Sequence, residues 1–415
     1  MQAIFAYEGL ARRIENNHPS NRIAAMPQLI RQVRPLTQSA QATAAEPRRF
    51  SIAMATFNGE LYIREQLNSL AEQILSPYEL VVCDDGSSDN TVSILEEFQK
   101  EAPFPVTIYR NRRRLGFADN FLDAASKCTG DWIAFSDQDD IWFPDKLLSV
   151  REAIESTLAR DLVLVTHSVE ITNEDQSNAN GTEADSHTAQ IKPREIWSAA
   201  ALGGVTPLRS CQDRTVASNS HPGFWALPGF TCVFRSELIT CFDWKIRPKS
   251  YDGSHPLQTH DKWICMLANA LGSVRHIAKP LVLYRRHEGA LTGYYEDKSL
   301  GAKIAMSRQV GARRYGFMAD AARESAVVLM VLAESAAATG RSSKLKCSAT
   351  LFEKLACNCE LRAEIYRQPA IKDKLVNFTR LFATQGYFGS AFCSFGMRSF
   401  LKDLICCLGG RVGIE

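Results

Sequence analysis

A long apolar run, an excess of charge of one sign and paired cysteines are all missing from this chain of 415 residues. The apolar stretch Ala326 to Ala333 is far short of the roughly 18 to 20 residues that cross a bilayer, so a helical membrane-spanning protein is not expected. Lysine and arginine number 48 against 46 aspartates and glutamates, and a net charge of +2 is too weak a field to hold polyanions. No nucleic-acid partner is expected, and any acidic ligand must be met locally. Twelve cysteines lack C-x-x-C spacing in a chain too long to need disulfide staples, which predicts reduced, mostly buried thiols and a cytoplasmic compartment. The adjacent Cys406 and Cys407 suit helix packing, with lipidation as the alternative. Glu8 and Glu15 interrupt any signal-peptide core, and residues 1–49 read as a poorly ordered extension.

What is present is ordinary globular composition, 45% hydrophobic and 23% charged, at a length suggesting about two domains. From Phe50 short apolar runs alternate with helical periodicity. Phe50 to Ala55 is a predicted strand, Ile63, Leu67 and Leu70 mark one helical stripe, and Glu79 to Cys83 is a second strand. Val106 to Tyr109, Trp132 to Phe135 and Leu162 to Thr166 continue the strands, with helices between. The alternation predicts an α/β fold, a Rossmann-like mixed, mostly parallel sheet flanked by helices, with ligands beyond the carboxyl ends of its strands. Residues 172–195 read as a polar surface loop, and the chain beyond about residue 295 as a helical module broken near Gly340 and Gly386.

Two acidic clusters sit at predicted strand ends. In Asp84-Asp85-Gly86-Ser87-Ser88-Asp89 the carboxylates can accept hydrogen bonds from a base and a ribose, and the glycine permits close backbone approach. The alternative is helix capping, above all for Asp89. In Asp137-Gln138-Asp139-Asp140 three carboxylates repel one another unless a cation or protons neutralise them, as Mg2+ or Mn2+ bridging to a nucleotide diphosphate would. Solvated loop acids are the alternative. Asp261, just before the apolar run Trp263 to Leu267, is either a functional carboxylate or a helix cap.

Together, Ala55-Thr56-Phe57-Asn58-Gly59, Val82-Cys83-Asp84-Asp85-Gly86-Ser87-Ser88-Asp89 and Phe135-Ser136-Asp137-Gln138-Asp139-Asp140-Ile141-Trp142 resemble the signature blocks of family 2 glycosyltransferases, in order and spacing. The bacterial rhamnosyltransferase-like branch is the most similar flavour, over residues 50–293. The resemblance implies a GT-A fold over 50–293, with residues 294–415 as a C-terminal helical module. It also implies inverting, metal-dependent transfer of one sugar from a UDP- or dTDP-sugar to an acceptor hydroxyl. Thr56, Asn58 and Glu60 then match the nucleotide-contacting first loop, and Asp85, with Asp84 and Ser87 beside it, the nucleoside-binding segment. Asp139 matches the metal ligand, Asp137 a contact to ribose or donor sugar, and Asp261 the catalytic base, with His260 as a substitute or an orienting neighbour. Tyr284-Arg285-Arg286-His287 resembles a further block, which implies Arg286 on the diphosphate and His287 in the metal shell. The Q-x-x-R-W block of processive members is absent, so single-sugar addition is expected.

The implied partners are a nucleotide-diphosphate sugar donor and a glycan or lipid-linked acceptor, in assembly of a bacterial surface polysaccharide or lipopolysaccharide. Phe378, Phe382, Phe388, Phe400 and Leu401 alternate with Arg380, Arg398 and Lys402, which suits either helices peripheral on the inner face of the plasma membrane or packing on the catalytic domain. Two other functions remain open at this point. One is a haloacid-dehalogenase-like phosphatase, which also places D-x-D after a strand; the other is a non-catalytic glycan-binding scaffold of a synthase complex.

Overall fold

The computed structural model of the chain describes residues 48–173, 195–197, 213–287, 310–336 and 341–408. The predicted leader, most of the polar loop after residue 173, Gly340 and the Glu288-Gly289 pair lie outside the described residues. In chain order the elements are β1 (Phe50–Thr56), α1 (Ile63–Ala71), β2 (Glu79–Asp84), α2 (Thr91–Glu101), β3 (Val106–Arg110), α3 (Phe117–Lys127) and β4 (Trp132–Ser136). There follow β5 (Ile141–Trp142), α4 (Lys146–Ser156), β6 (Leu162–Asn173), β7 (Glu195–Trp197), β8 (Arg214–Val216), β9 (Val233–Arg235) and the short α5 (Glu237–Thr240). The chain ends through α6 (His260–Leu271), β10 (Ser273–Arg286), α7 (Ala312–Ser335), α8 (Ser342–Arg367), α9 (Ile371–Ala383) and α10 (Gly396–Cys407).

The strands form one sheet in the order β3-β2-β1-β4-β9-β6-β10-β5, with β7 beside β6 and β8 beside β10. β1 to β4 pair in parallel, and β6 with β10 likewise; β9 runs antiparallel between β4 and β6. This is the mixed, mostly parallel sheet expected. Its central strands are buried on both faces because helices cover both, and neighbouring residues point to opposite sides. Ile52 and Met54 pack beneath α1, α2 and α4, whereas Ala53, Val81 and Cys83 pack towards α3 and α6. Each fully buried Leu or Ile there contributes about 1.5–3 kcal/mol.

The second core does not stop at α6. Leu329 and Leu332 of α7 and Phe352 and Leu355 of α8 join the same apolar cluster as Phe121, Ile264 and Leu267. A smaller cluster holds α8, α9 and α10 together around Tyr315, Tyr366, Leu381 and Tyr387. Strand β10 is longer than periodicity suggested, because 273–279 and 280–286 continue through register shifts against β6. The described cysteines are all unpaired, and no described helix is long and apolar enough to cross a membrane.

Candidate active site

From β1 the chain turns through α1 towards β2, whereas from β4 it runs through β5 to the far edge, where Ile141 and Trp142 pair with Leu283 and Val282 of β10. A crevice opens where neighbouring parallel strands send their connections in opposite directions. Gln138 bridges it: its Oε1 accepts from the Phe57 N–H at 2.9 Å and its Nε2 donates to the Phe57 carbonyl at 3.1 Å. A Cβ on Gly59 would displace that amide, so the bridge between the two loops favours glycine here.

Thr56, Asn58, Asp84 and Ser87 bind one another, and Glu60 binds Asp89 and Asn90 beside them. Asp84 is fully buried, and its carboxylate accepts from Gly86 N–H, Ser87 N–H, Thr56 Oγ1 and Ser87 Oγ. Those four donors fill the lone-pair sites of a carboxylate, so Asp84 holds the turn rather than reaching for a ligand. Asn58 Oδ1 accepts from Ser88 N–H at 2.9 Å, while Glu60 Oε2 accepts from the Asn90 backbone and side chain at 3.0 and 2.9 Å. Asp89 accepts from Thr91 N–H at 3.0 Å, the capping role open to it from the sequence. The first loop is thereby fastened to the loop after β2.

Asp85 is buried under the segment after β3. Oδ1 accepts from Asn111 Nδ2 at 2.9 Å and Leu115 N–H at 2.7 Å, and Oδ2 from Gly116 N–H at 2.8 Å. Three donors leave one acceptor site on Oδ2. Arg114, from the basic run 112–114, lays its guanidinium 3.8 Å above the Phe57 ring and roofs the same region.

At the end of β4, Asp137 and Asp139 are half-buried and Asp140 is wholly enclosed. Burial first, then the Asp139 and Asp261 carboxylates, pushes the Asp137 carboxyl well above the usual carboxylate range. Asp140 is pushed the same way by burial, Asp139 and Asp137, and neither of its oxygens has a hydrogen-bond partner among the described residues. Lys146 lies buried 3.4 Å above the Trp142 ring and donates to the Phe230 carbonyl at 2.9 Å. His287 Nε2 stands 3.0 Å from Asp139 Oδ2, its ring against Tyr62. Among the described residues no three acidic, histidine or cysteine side chains are assembled as a cation cage.

Of the arginine pair, it is Arg285 that serves this loop: its Nε donates to the Asp139 carbonyl at 2.8 Å and its Nη1 pairs with Glu65 at 2.5 Å. Arg286, the one singled out in the sequence, lies over the Tyr284 ring at 5.3 Å. Neighbours on a strand point to opposite faces, and residue pattern alone does not say which face meets the acids. Gln138 and Arg285 had no signal of their own in the sequence beyond lying inside the matched blocks, and Lys146, four residues past the third block, had none.

Asp261 occupies the first turn of α6, where the helix dipole favours a carboxylate. Its Oδ1 accepts from Thr259 Oγ1 and, at 2.8 Å, from Lys262 N–H, and no hydrogen bond reaches Oδ2 among the described residues. Its charge acts on Asp137, so α6 delivers it to the acid cluster. His260 points the other way. It stacks on Phe121 at 4.2 Å and meets Phe135 edge-on at 4.9 Å, and burial pulls its pKa down to about 4, so it is a core residue and no substitute base.

An α/β sheet with acids gathered at its switch point is a frame for binding a ligand in the crevice there. The family described as Glycosyl transferase family 2 matches residues 51–198. The dTDP-rhamnosyl transferase RfbG of Shigella flexneri is 29% identical over 247 residues, 58% of this chain and 73% of that one. The Escherichia coli enzyme UDP-Glc:alpha-D-GlcNAc-diphosphoundecaprenol beta-1,3-glucosyltransferase WfgD is 37% identical over 97 residues, 23% of this chain and 37% of that one. Among solved structures, S. aureus TarS 1-349 in complex with UDP-GlcNAc aligns at 17% identity and a TM-score of 0.42, over 82% of this chain and 93% of that one. At that score the likeness carries no argument. Residues 51–198 are the part of the chain that matches glycosyl transferase family 2, and the chain is an enzyme of the glycosyltransferase class. Neither sequence relative is named as a phosphatase or a scaffold.

Proposed function

We propose that the protein transfers one sugar, with inversion, from a UDP- or dTDP-sugar to an acceptor hydroxyl of a glycan or lipid-linked acceptor in bacterial surface polysaccharide or lipopolysaccharide assembly. The observation that carries this reading is the gathering of Asp137, Asp139 and His287 beyond the end of β4, with Asp261 of α6 near enough to act on Asp137 and the hydrogen-bonded Asp85 beyond the end of β2, one strand further along the sheet. Uracil and thymine each present one imide N–H, which suits the single acceptor site left on Asp85. Guanine presents two adjacent donors and adenine no ring N–H on that edge. The dTDP and UDP in the names of the two relatives support the same choice.

Asp139 and His287 supply carboxylate oxygen and imidazole nitrogen side by side, and the partnerless oxygens of Asp140 leave the cluster short of positive charge. That donor set fits Mg2+ or Mn2+, which Asp139 and His287 would hold. When bound, such an ion offsets the charge on the departing diphosphate. Asp137 faces the donor sugar or its ribose, and Arg285 holds the acid loop from behind.

In the reaction the acceptor oxygen attacks the anomeric carbon as the bond from that carbon to the diphosphate oxygen breaks, and the electron pair leaves with the nucleoside diphosphate. The acceptor proton passes to Oδ2 of Asp261, whose Oδ1 is already fixed by Thr259 and Lys262. Asp261→Asn keeps the shape of that contact and removes the base. Turnover is expected to fall by about 100- to 10,000-fold while nucleotide-sugar binding, read by thermal shift, survives. Equal turnover in variant and parent would remove Asp261 from the mechanism.

A further inference from the structure

We propose that the outward faces of α9 and α10 seat this protein on the surface of an anionic lipid bilayer. Helix α9 turns Phe378 and Leu381 into the protein, and beside them it leaves Ile371, Leu375, Val376 and Phe382 exposed, the last by 55%. Helix α10 buries Cys406 and Cys407 together with one aspartate. Its inward residue Asp403 is fully buried, gripped by Arg362, Tyr366 and Tyr387, while Met397, Leu401, Ile405 and Leu408 face out. Spacings of four, four and three residues put those four on one stripe.

The two apolar faces are one patch. Phe388, in the turn between the helices, lies 6.2 Å from Phe382 and 5.3 Å from Phe400, and Phe382 lies 6.3 Å from Phe400. A contiguous exposed apolar surface of this kind marks a contact with something apolar. Its rim identifies what. Lys372, Arg380 and Arg398 are exposed around the patch, against a single exposed acid, Asp373, since Asp403 is enclosed. Basic residues edging aromatic and aliphatic ones match anionic headgroups above acyl chains. A second copy of the chain would bring like-charged rims together, which disfavours self-association through this face. No described helix can cross the bilayer, so the contact is interfacial.

The inference goes beyond the donor chemistry and does not depend on it. The test is flotation of the full chain with vesicles of phosphatidylcholine alone and of phosphatidylcholine mixed with phosphatidylglycerol. The expected result is binding to the mixed vesicles that weakens with added salt. In the double variant Leu401→Glu, Ile405→Glu, and separately in Phe382→Ser, binding should fall at least about tenfold with an unchanged melting temperature, because all three side chains are exposed. Absence of binding to the mixed vesicles, or binding untouched by both variants, overturns the proposal. Dimerisation in sedimentation velocity that the same variants abolish, without lipid binding, assigns the face to a second copy instead.

Discussion

Asp84 and Asp85 are neighbours of identical chemistry, and the backbone after β2 separates their work. Four donors close Asp84 off, while three leave Asp85 one acceptor. Asp85→Asn turns an amide towards the Leu115 and Gly116 N–H groups and removes the charge. Affinity for UDP and dTDP is expected to drop by at least about tenfold, the scale of one hydrogen bond to a charged group, as read by isothermal titration. At the same scale His260 makes the fold sensitive to acid. Its folded pKa of about 4 lies below the unfolded value of 6.5, so the unfolded chain holds the extra proton between them. The stabilisation is full above about pH 6.5 and is lost as pH falls towards about 4, by up to roughly 3 kcal/mol. His260→Phe should therefore lose less stability than the parent between about pH 7.5 and about pH 5 in urea unfolding.

Among the elements, α6 and the turn Gly229–Thr231 depend on each other. A Cβ at Gly229 would strike the His260 imidazole, which Phe121 and Phe135 hold in place. Gly229→Ala is expected to destabilise by about 1–3 kcal/mol, seen as a lower urea midpoint with an unchanged slope. Element identity was legible where one face is apolar and the period is clear: β1, β2, β4, α1 and α6 begin and end within a few residues of their sequence patterns. The long β10 was not legible as one strand, because Lys279-Pro280 interrupts its apolar run while β6 still pairs on both sides of it. Nor was the choice of Arg285 over Arg286, which rests on which of the two sheet faces meets the loop after β4.

For the whole molecule, the sequence divides the chain near residue 293, but the apolar cluster under the sheet runs from α3 and α6 into α7 and α8. Ion pairs cross the same boundary: Lys344 with Asp161, Arg341 with Glu237 and Lys249 with Glu324. A chain ending at residue 293 would expose that face, so it is expected to be poorly soluble and to melt without a cooperative transition in circular dichroism. A soluble fragment with the parent's cooperative melt would show instead that 50–293 folds alone.

The amino-acid order by itself determined the alternation of strands and helices, the acids at strand ends and the family resemblance, because each is written in short contiguous stretches with a fixed period. The tertiary structure decided which acid is sealed and which is open, which arginine meets the acid loop, that His260 belongs to the core, and that α10 turns its aspartate inward. Those outcomes depend on partners tens or hundreds of residues away, and only packing brings them within hydrogen-bond reach.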